Sequence, residues 1–188
     1  DCGKVTKTAL NSYILFLEKE GKAASTISRF LASAKSFFGW MFREGKIRRD
    51  PADSIHAPKI EKKVPVILTV DEVTKLLEQP SGANPKEIRD KAMLELLYAT
   101  GIRVTELVGL KLSDVNMSIG FITCRDEHKE RMIPFGHAAR EALTKYLEAA
   151  RETFLKGTHS ELLFTNYSGR EMSRQGFWKI IKHYQEKA

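Results

Sequence analysis

The 188-residue sequence predicts a mainly α-helical protein with a small β-hairpin, an α+β fold in two parts. Three observations carry the prediction. Apolar residues recur at three- and four-residue steps over most of the chain, two short apolar runs flank a charged turn within residues 119–134, and prolines crowd between residues 51 and 65. The length suits one or two domains with real cores, and a hydrophobic content of 42% with 12 Gly and 6 Pro excludes a collagen, a disordered tail or a coiled coil.

The elements follow in order. Leu10, Tyr13, Ile14, Phe16 and Leu17 define a first helix that Gly21 closes. Ser25 or Thr26 is placed to cap a second, in which Ile27, Phe30, Leu31, Ala34, Phe37, Phe38, Met41 and Phe42 form a wide apolar stripe ending at Gly45. Pro51, Pro58 and Pro65, with the run from Lys59 to Lys63, read as an extended linker. The domains are set at residues 1–57 and 67–188, joined by 58–66. Thr69, with Asp71 and Glu72 in the first turn, opens a helix that stops before Pro80. A longer helix spans about Lys86 to Ala99 and ends at Gly101. Strands are expected at Ile119–Cys124 and Arg131–Pro134, a helix from His137 to about Phe154, a buried run at Leu162–Thr165, and an amphipathic helix at Ser173–Tyr184 whose basic residues alternate with aromatics.

Charge narrows the function classes. There are 31 Lys and Arg against 24 Asp and Glu, a formal +7. The excess lies at the two ends, +5 over residues 1–60 and +3 over 151–188, about a near-neutral middle. Arg29, Lys35, Arg43 and Lys46 line the polar face of the second helix, which suits either a solvated flank or a polyanion such as double-stranded DNA. No apolar run approaches the roughly 20 residues of a membrane span, and no signal-peptide core follows the N-terminus, so a soluble cytoplasmic protein without a membrane partner is expected. Cys2 and Cys124 stand far apart and the five His are scattered, which argues against a disulfide framework and against any metal site.

The run Thr100-Gly101-Ile102-Arg103-Val104-Thr105-Glu106-Leu107 is the most informative. Arg103 falls at a helix start, with Glu106 one turn on, an arrangement that serves equally as a phosphate receptor or as a surface ion pair. The hairpin tip, from Arg125 to Arg131, has mixed charge and fits either a DNA groove or a solvated turn.

Taken together, Arg89-Asp90-Lys91-Ala92-Met93-Leu94, Tyr98 to Leu107, Leu110, Asp114-Val115, Lys129 to Pro134, Leu163-Phe164 and Phe177 to Tyr184 resemble the tyrosine recombinases of the Xer and phage-integrase branch. Ser25–Lys46 and the Pro-rich segment resemble the end of that family's helical core-binding domain. The resemblance implies a partial core-binding DNA clamp followed by the front part of a catalytic domain. It implies strand exchange, in which a Tyr attacks a DNA phosphodiester to give a 3′-phosphotyrosyl link while two Arg, a Lys and a His stabilise the phosphorane; no cofactor is required. By position, Arg103 matches the first catalytic Arg and Glu106 its supporting partner. Lys129 or Arg125 is left to serve for the hairpin Lys, because Asp126 stands where the family has that Lys. Arg125, Arg131, Arg174 and Lys179, with Arg29, Lys35 and Arg43 on the clamp, are the implied DNA contacts.

The family's His-x-x-Arg box and nucleophilic Tyr would follow the last helix, and none of Tyr13, Tyr98, Tyr146, Tyr167 and Tyr184 has the nucleophile's context. The chain is therefore expected to bind DNA without cutting it, as part of a parent that works as a homo- or hetero-tetramer on two sites. A natural non-catalytic DNA-binding regulator on the same scaffold is the alternative.

Overall fold

The computed structural model describes residues 2–59, 66–125 and 129–188. It divides into two compact units, Asp1–Val66 and Ile67–Ala188. In the first, α1 (Lys7–Lys19) and α2 (Ala24–Arg43) form a helical hairpin. Thr6 caps α1 by accepting the Ala9 N–H at 3.2 Å. Gly21, at φ +70°, lets the Lys22 N–H reach back to the Leu17 carbonyl at 3.0 Å and closes the helix end. Contrary to the expected cap at Ser25 or Thr26, α2 begins earlier, with Ala23 at its N-cap and no side-chain bond there. The core comprises Leu10, Leu31, Ala34, Phe38, Ala52 and Ile55. Ala52 and Ile55 correct the linker reading: the Asp50 carboxylate accepts the Ala52 N–H at 2.8 Å and folds the Pro51 segment back as a turn on the helices.

The second unit is built around α4. Its elements are α3 (Val70–Glu78), α4 (Pro85–Thr100), α5 (Val104–Gly109), a 3-10 turn at Leu112–Asp114, β1 (Val115–Asn116), β2 (Phe121–Arg125), β3 (Glu130–Pro134), α6 (His137–Ala149), α7 (Arg151–Leu155) and α8 (Arg174–Gln185). Helix α3 carries a reciprocal cap, Thr69 with Glu72, and α4 is capped by Asn84 with Pro85 as its first residue. The strands form an antiparallel sheet in the order β1-β2-β3, with Ile122 opposite Ile133; β1 is a short third strand beyond the expected hairpin. Helix α4 is buried nearly all round, packing mainly on α6, and Met93, Leu96, Leu107, Leu143, Phe164 and Phe177 fill the centre.

Two features depart from amphipathic expectation. The helix expected from His137 to Phe154 breaks at Ala150 (φ −127°), which turns Arg151 inward so that its Nη2 donates to the carbonyls of Ser160 (2.7 Å) and Leu162 (2.9 Å). The buried run after it has few backbone partners. Leu163 donates to the Leu110 carbonyl at 2.7 Å, and the remaining carbonyls meet side chains: Tyr146 Oη reaches Leu163 at 3.0 Å and Arg89 Nη1 reaches Thr165 at 3.1 Å. Leu162 forms an isolated antiparallel bridge with Lys111, and buried donors from α4, α6 and α7 serve carbonyls that this short pairing leaves over.

Candidate functional site

The arrangement around Arg103 begins at the end of α4. Gly101 adopts φ +61°, its N–H closes on the Leu97 carbonyl at 2.9 Å, and buried Ile102 anchors the turn. The chain is thereby redirected so that Arg103 sits at the N-cap of α5 with 71% of its side chain exposed. Glu106, one turn on, folds back: its Oε2 accepts the Arg103 backbone N–H at 2.7 Å and its Oε1 lies 3.3 Å from Arg103 Nη1. The same carboxylate accepts Arg131 Nη2 from β3 at 2.7 and 2.8 Å. Glu106 therefore ties the start of α5 to the hairpin and holds two guanidinium groups on one carboxylate.

The hairpin root is tied a second time. Arg125 pairs in register with Glu130 and bonds to it (Nε to Oε2, 3.2 Å), and its Nη1 also bonds to the Asp114 carboxylate of the 3-10 turn. Lys129 is exposed just before β3, and Asp126 lies outside the described residues. Between α5, the 3-10 turn and β2 is a cleft of about 610 Å³, walled by Glu106, Asp114, Thr123, Cys124 and Arg125. Burial pushes the Cys124 thiol above its ordinary pKa, so it stays protonated at neutral pH.

Helix α8 buries Phe177, Ile180 and Tyr184 and turns Arg174, Trp178, Lys179 and Lys182 outward. Arg174 and Trp178 share a cleft of about 270 Å³ with Val104, the residue after Arg103. In the first unit, Arg29 and Arg43 are exposed on α2, whereas half-buried Lys35 donates to the Asp53 carbonyl at 3.1 Å.

Of the residues singled out from sequence, Arg103, Glu106 and Arg131 come together, and Arg174 lies beside them through Val104. Arg125 joins a separate cluster with Asp114, and Lys35 is engaged by its own unit. The sequence reading missed Asp114 as a partner of Arg125, whose separation of 11 residues carries no local signal. It also missed the pinning of α8 by Asp90, whose Oδ2 accepts Tyr184 Oη at 3.1 Å. Tyr146 and Tyr184 are fully buried, and burial raises both phenols, that of Tyr146 to about 12. A His-x-x-Arg spacing occurs at His137 and Arg140, but Arg140 Nη1 is directed at the Ser118 carbonyl, 3.4 Å away. Among the described residues no cluster of His, Cys, Asp and Glu is suited to a metal ion, and no helix is long and apolar enough to cross a membrane.

Both the sequence and the fold have known counterparts. The chain is 46% identical over 181 residues to a putative tyrosine recombinase of Caldanaerobacter subterraneus subsp. tengcongensis, covering 96% of this chain and 61% of that protein. It is 43% identical over 179 residues to the tyrosine recombinase XerD of Halalkalibacterium halodurans, covering 95% of this chain and 60% of that one. It thus spans about three fifths of the length of these relatives. Among solved structures, the XerH site-specific recombinase bound to its difH substrate superposes with a TM-score of 0.74 at 18% identity, over 98% of this chain and 55% of that one. A lambda integrase dimer bound to a core site gives 0.71 at 19%, over 97% of this chain and 65% of that one. These two likenesses establish the fold. The model of the phage integrase family matches residues 67–188, the whole second unit, and the chain belongs to that family of tyrosine recombinases.

Proposed function

We propose that this chain binds duplex DNA and presents Arg103 to a backbone phosphate, as the part of a site-specific recombinase that grips its substrate. The observation that carries the reading is the Arg103–Glu106–Arg131 cluster within the family-matched region. Its physical logic is charge placement. A guanidinium presents a rigid fork of donors to two phosphate oxygens, and Glu106 fixes the backbone of that Arg at 2.7 Å while leaving its side chain mostly exposed. When a phosphodiester becomes a pentacoordinate phosphorane it gains negative charge, and a preorganised guanidinium favours that state over the ground state. Lys129, exposed beside the hairpin tip, is the ammonium closest in sequence to the position where the family has its hairpin Lys.

In the full-length parent this serves strand exchange through a 3′-phosphotyrosyl intermediate, on two DNA sites held by a homo- or hetero-tetramer. The first unit is a part of the core-binding clamp, with Arg29 and Arg43 on its exposed face; the second is the front of the catalytic domain. The 188 residues themselves bind without cleaving, because Tyr146 and Tyr184 are buried with raised phenol pKa values and no Tyr has the nucleophile's context. Incubation with a nicked suicide duplex, followed by denaturing electrophoresis, should give no covalent adduct while mobility shift shows salt-dependent binding. A phosphotyrosyl adduct on this chain would overturn the non-cleaving part, and absence of duplex binding at low salt would overturn the whole reading.

Asp126 favours a second reading, a DNA-binding regulator that has given up the chemistry, since a carboxylate there cannot protonate a leaving hydroxyl as an ammonium does. The reading frame beyond Ala188 separates the two. An in-frame His-x-x-Arg followed by Tyr means an enzyme, and its lack means a regulator.

A further inference from the structure

Trp178 is 58% exposed on the outer face of α8, although α8 has ample apolar surface facing inward to hold it on the core. An exposed indole carries a large apolar area that water solvates poorly, and a cationic helix face gives it no apolar neighbour on the solvent side. Its surroundings are specific. Arg174 stands one turn before it, Lys179 beside it, and Lys182 one turn after, with the Lys182 ammonium 5.4 Å from the ring centroid. Its inner side walls the 270 Å³ cleft whose other lining includes Val104, Phe177 and Arg174. The floor of this cleft is thus apolar, Arg174 stands at its rim, and its Val104 wall is the residue that follows Arg103 in the chain.

A cleft of that shape suits a ligand with a compact C–H face attached to a phosphate. In duplex DNA two groups have this chemistry: the deoxyribose ring, and the 5-methyl of thymine at a groove edge. Resting on the DNA-binding reading above, we propose that the Trp178–Val104 cleft receives such a C–H face of the nucleotide neighbouring the phosphate held by Arg103. Trp178 then supplies the part of the affinity that salt does not remove, and the surrounding cations supply the part that it does. The charge complementarity of Arg103, Arg174, Lys179 and Lys182 with a phosphate backbone commits the cleft to nucleic acid as its occupant.

The test separates the two contributions. Duplexes selected from a random 20-base-pair pool by the 188-residue chain are titrated with wild type, Trp178→Ala, Trp178→Phe and Lys179→Ala from 50 to 300 mM NaCl. Trp178→Ala should lower affinity about tenfold at every salt concentration with the slope of log K against log salt unchanged, and Trp178→Phe should recover part of the loss. Lys179→Ala should reduce the slope by about 0.9, the release expected for one phosphate contact. Thermal melting checks that each variant is folded, and Trp178→Phe, which keeps an aromatic ring, guards against a packing artefact. Replacing single thymines by uracil identifies the moiety: a loss for wild type that vanishes in Trp178→Ala marks the thymine methyl, and no loss at any position marks deoxyribose. If Trp178→Ala binds within twofold of wild type while Lys179→Ala weakens, the cleft inference is overturned and the DNA reading stands. If wild type selects and binds no duplex, both are overturned.

Discussion

Replacing Asp90 should unfold the second unit more readily than any other single polar change. Asp90 is 0% exposed and Arg89 2%. The carboxylate accepts four bonds: Arg89 Nε at 3.0 Å and Nη2 at 2.8 Å on Oδ1, and Tyr184 Oη and Lys86 Nζ, each at 3.1 Å, on Oδ2. With Asp90→Ala, Arg89 keeps only the Thr165 carbonyl at 3.1 Å and the faces of Phe154 and Tyr167, 4.7 and 5.5 Å from its guanidinium carbon. A buried cation stripped of its anion costs about 3–5 kcal/mol. Tyr184→Phe removes one hydrogen bond to a charged acceptor and should cost about 1.5–2 kcal/mol. Lys86→Ala should cost no more than about 1 kcal/mol, because the Lys86 side chain is 37% exposed and water screens it. The assay is urea unfolding in a Trp40→Phe background, so that Trp178, the other of the two tryptophans, reports on the second unit alone. With a slope of about 1.5 kcal/mol per molar urea, Asp90→Ala should lower the midpoint by about 2–3 M. A loss under about 1 kcal/mol for Asp90→Ala, or one no larger than that of Tyr184→Phe, would refute the claim that this carboxylate neutralises Arg89 and fastens α8 to α4.

Three further outcomes follow from the same geometry. Burial raises the Tyr146 phenol to about 12 in the folded state from the ordinary value of 10.0. The stability from keeping it protonated is complete below pH 10 and is lost as pH rises toward 12. The Tyr146 share of the loss should reach about 2 kcal/mol by pH 11.5 and be missing in Tyr146→Phe, which keeps only the alkaline loss of the Tyr184 phenol, itself raised by burial, as read by urea midpoints at pH 8 to 11.5. Glu106→Ala removes the back-bond to the Arg103 N–H and the Arg131 pair; it should cost about 1–2 kcal/mol in thermal melts without weakening duplex binding at low salt, and an unchanged melt would count against the cluster. Duplex affinity of the wild type should fall by two to three orders of magnitude between 50 and 200 mM salt, at about 0.9 in slope per phosphate contact. Arg29→Ala and Arg43→Ala should each flatten that slope, whereas Lys35→Ala should leave it unchanged, since the Lys35 ammonium is bonded to Asp53.

What the sequence disclosed and what it concealed divide along a physical line. Helix existence was readable because periodicity and caps are local: Thr69 with Glu72, and Gly101, act within one turn of their own residue. Arg103 and Glu106 were readable together because three residues make a helical turn. The partnership of Glu106 with Arg131 was not, since 25 residues and a strand reversal separate them. The burial of Arg89 and Arg151 carried no local signal either, because the carbonyls that receive them, at Thr165, Ser160 and Leu162, are supplied only by the fold. The break at Ala150 has the same origin, because only a change of direction brings Arg151 inward.

The same line sorts the charges. A net +7 treats every cation alike, but the structure makes two classes of them. Arg89, Lys91, Lys111, Arg125, Arg131 and Arg151 lie on carboxylates or carbonyls and serve the fold. Among the described residues Arg29, Arg43, Arg174 and Lys179 form no ion pair and remain exposed on α2 and α8. Cations of the first class have already exchanged water for protein partners, so moving them to a phosphate would break bonds that the fold uses. Those of the second still hold water and condensed counter-ions, whose release is the main gain when a polyanion arrives. Both helices that carry such cations also carry an exposed tryptophan, Trp40 on α2 and Trp178 on α8, whereas Arg103 stands between the two classes, 71% exposed yet 3.3 Å from the Glu106 carboxylate.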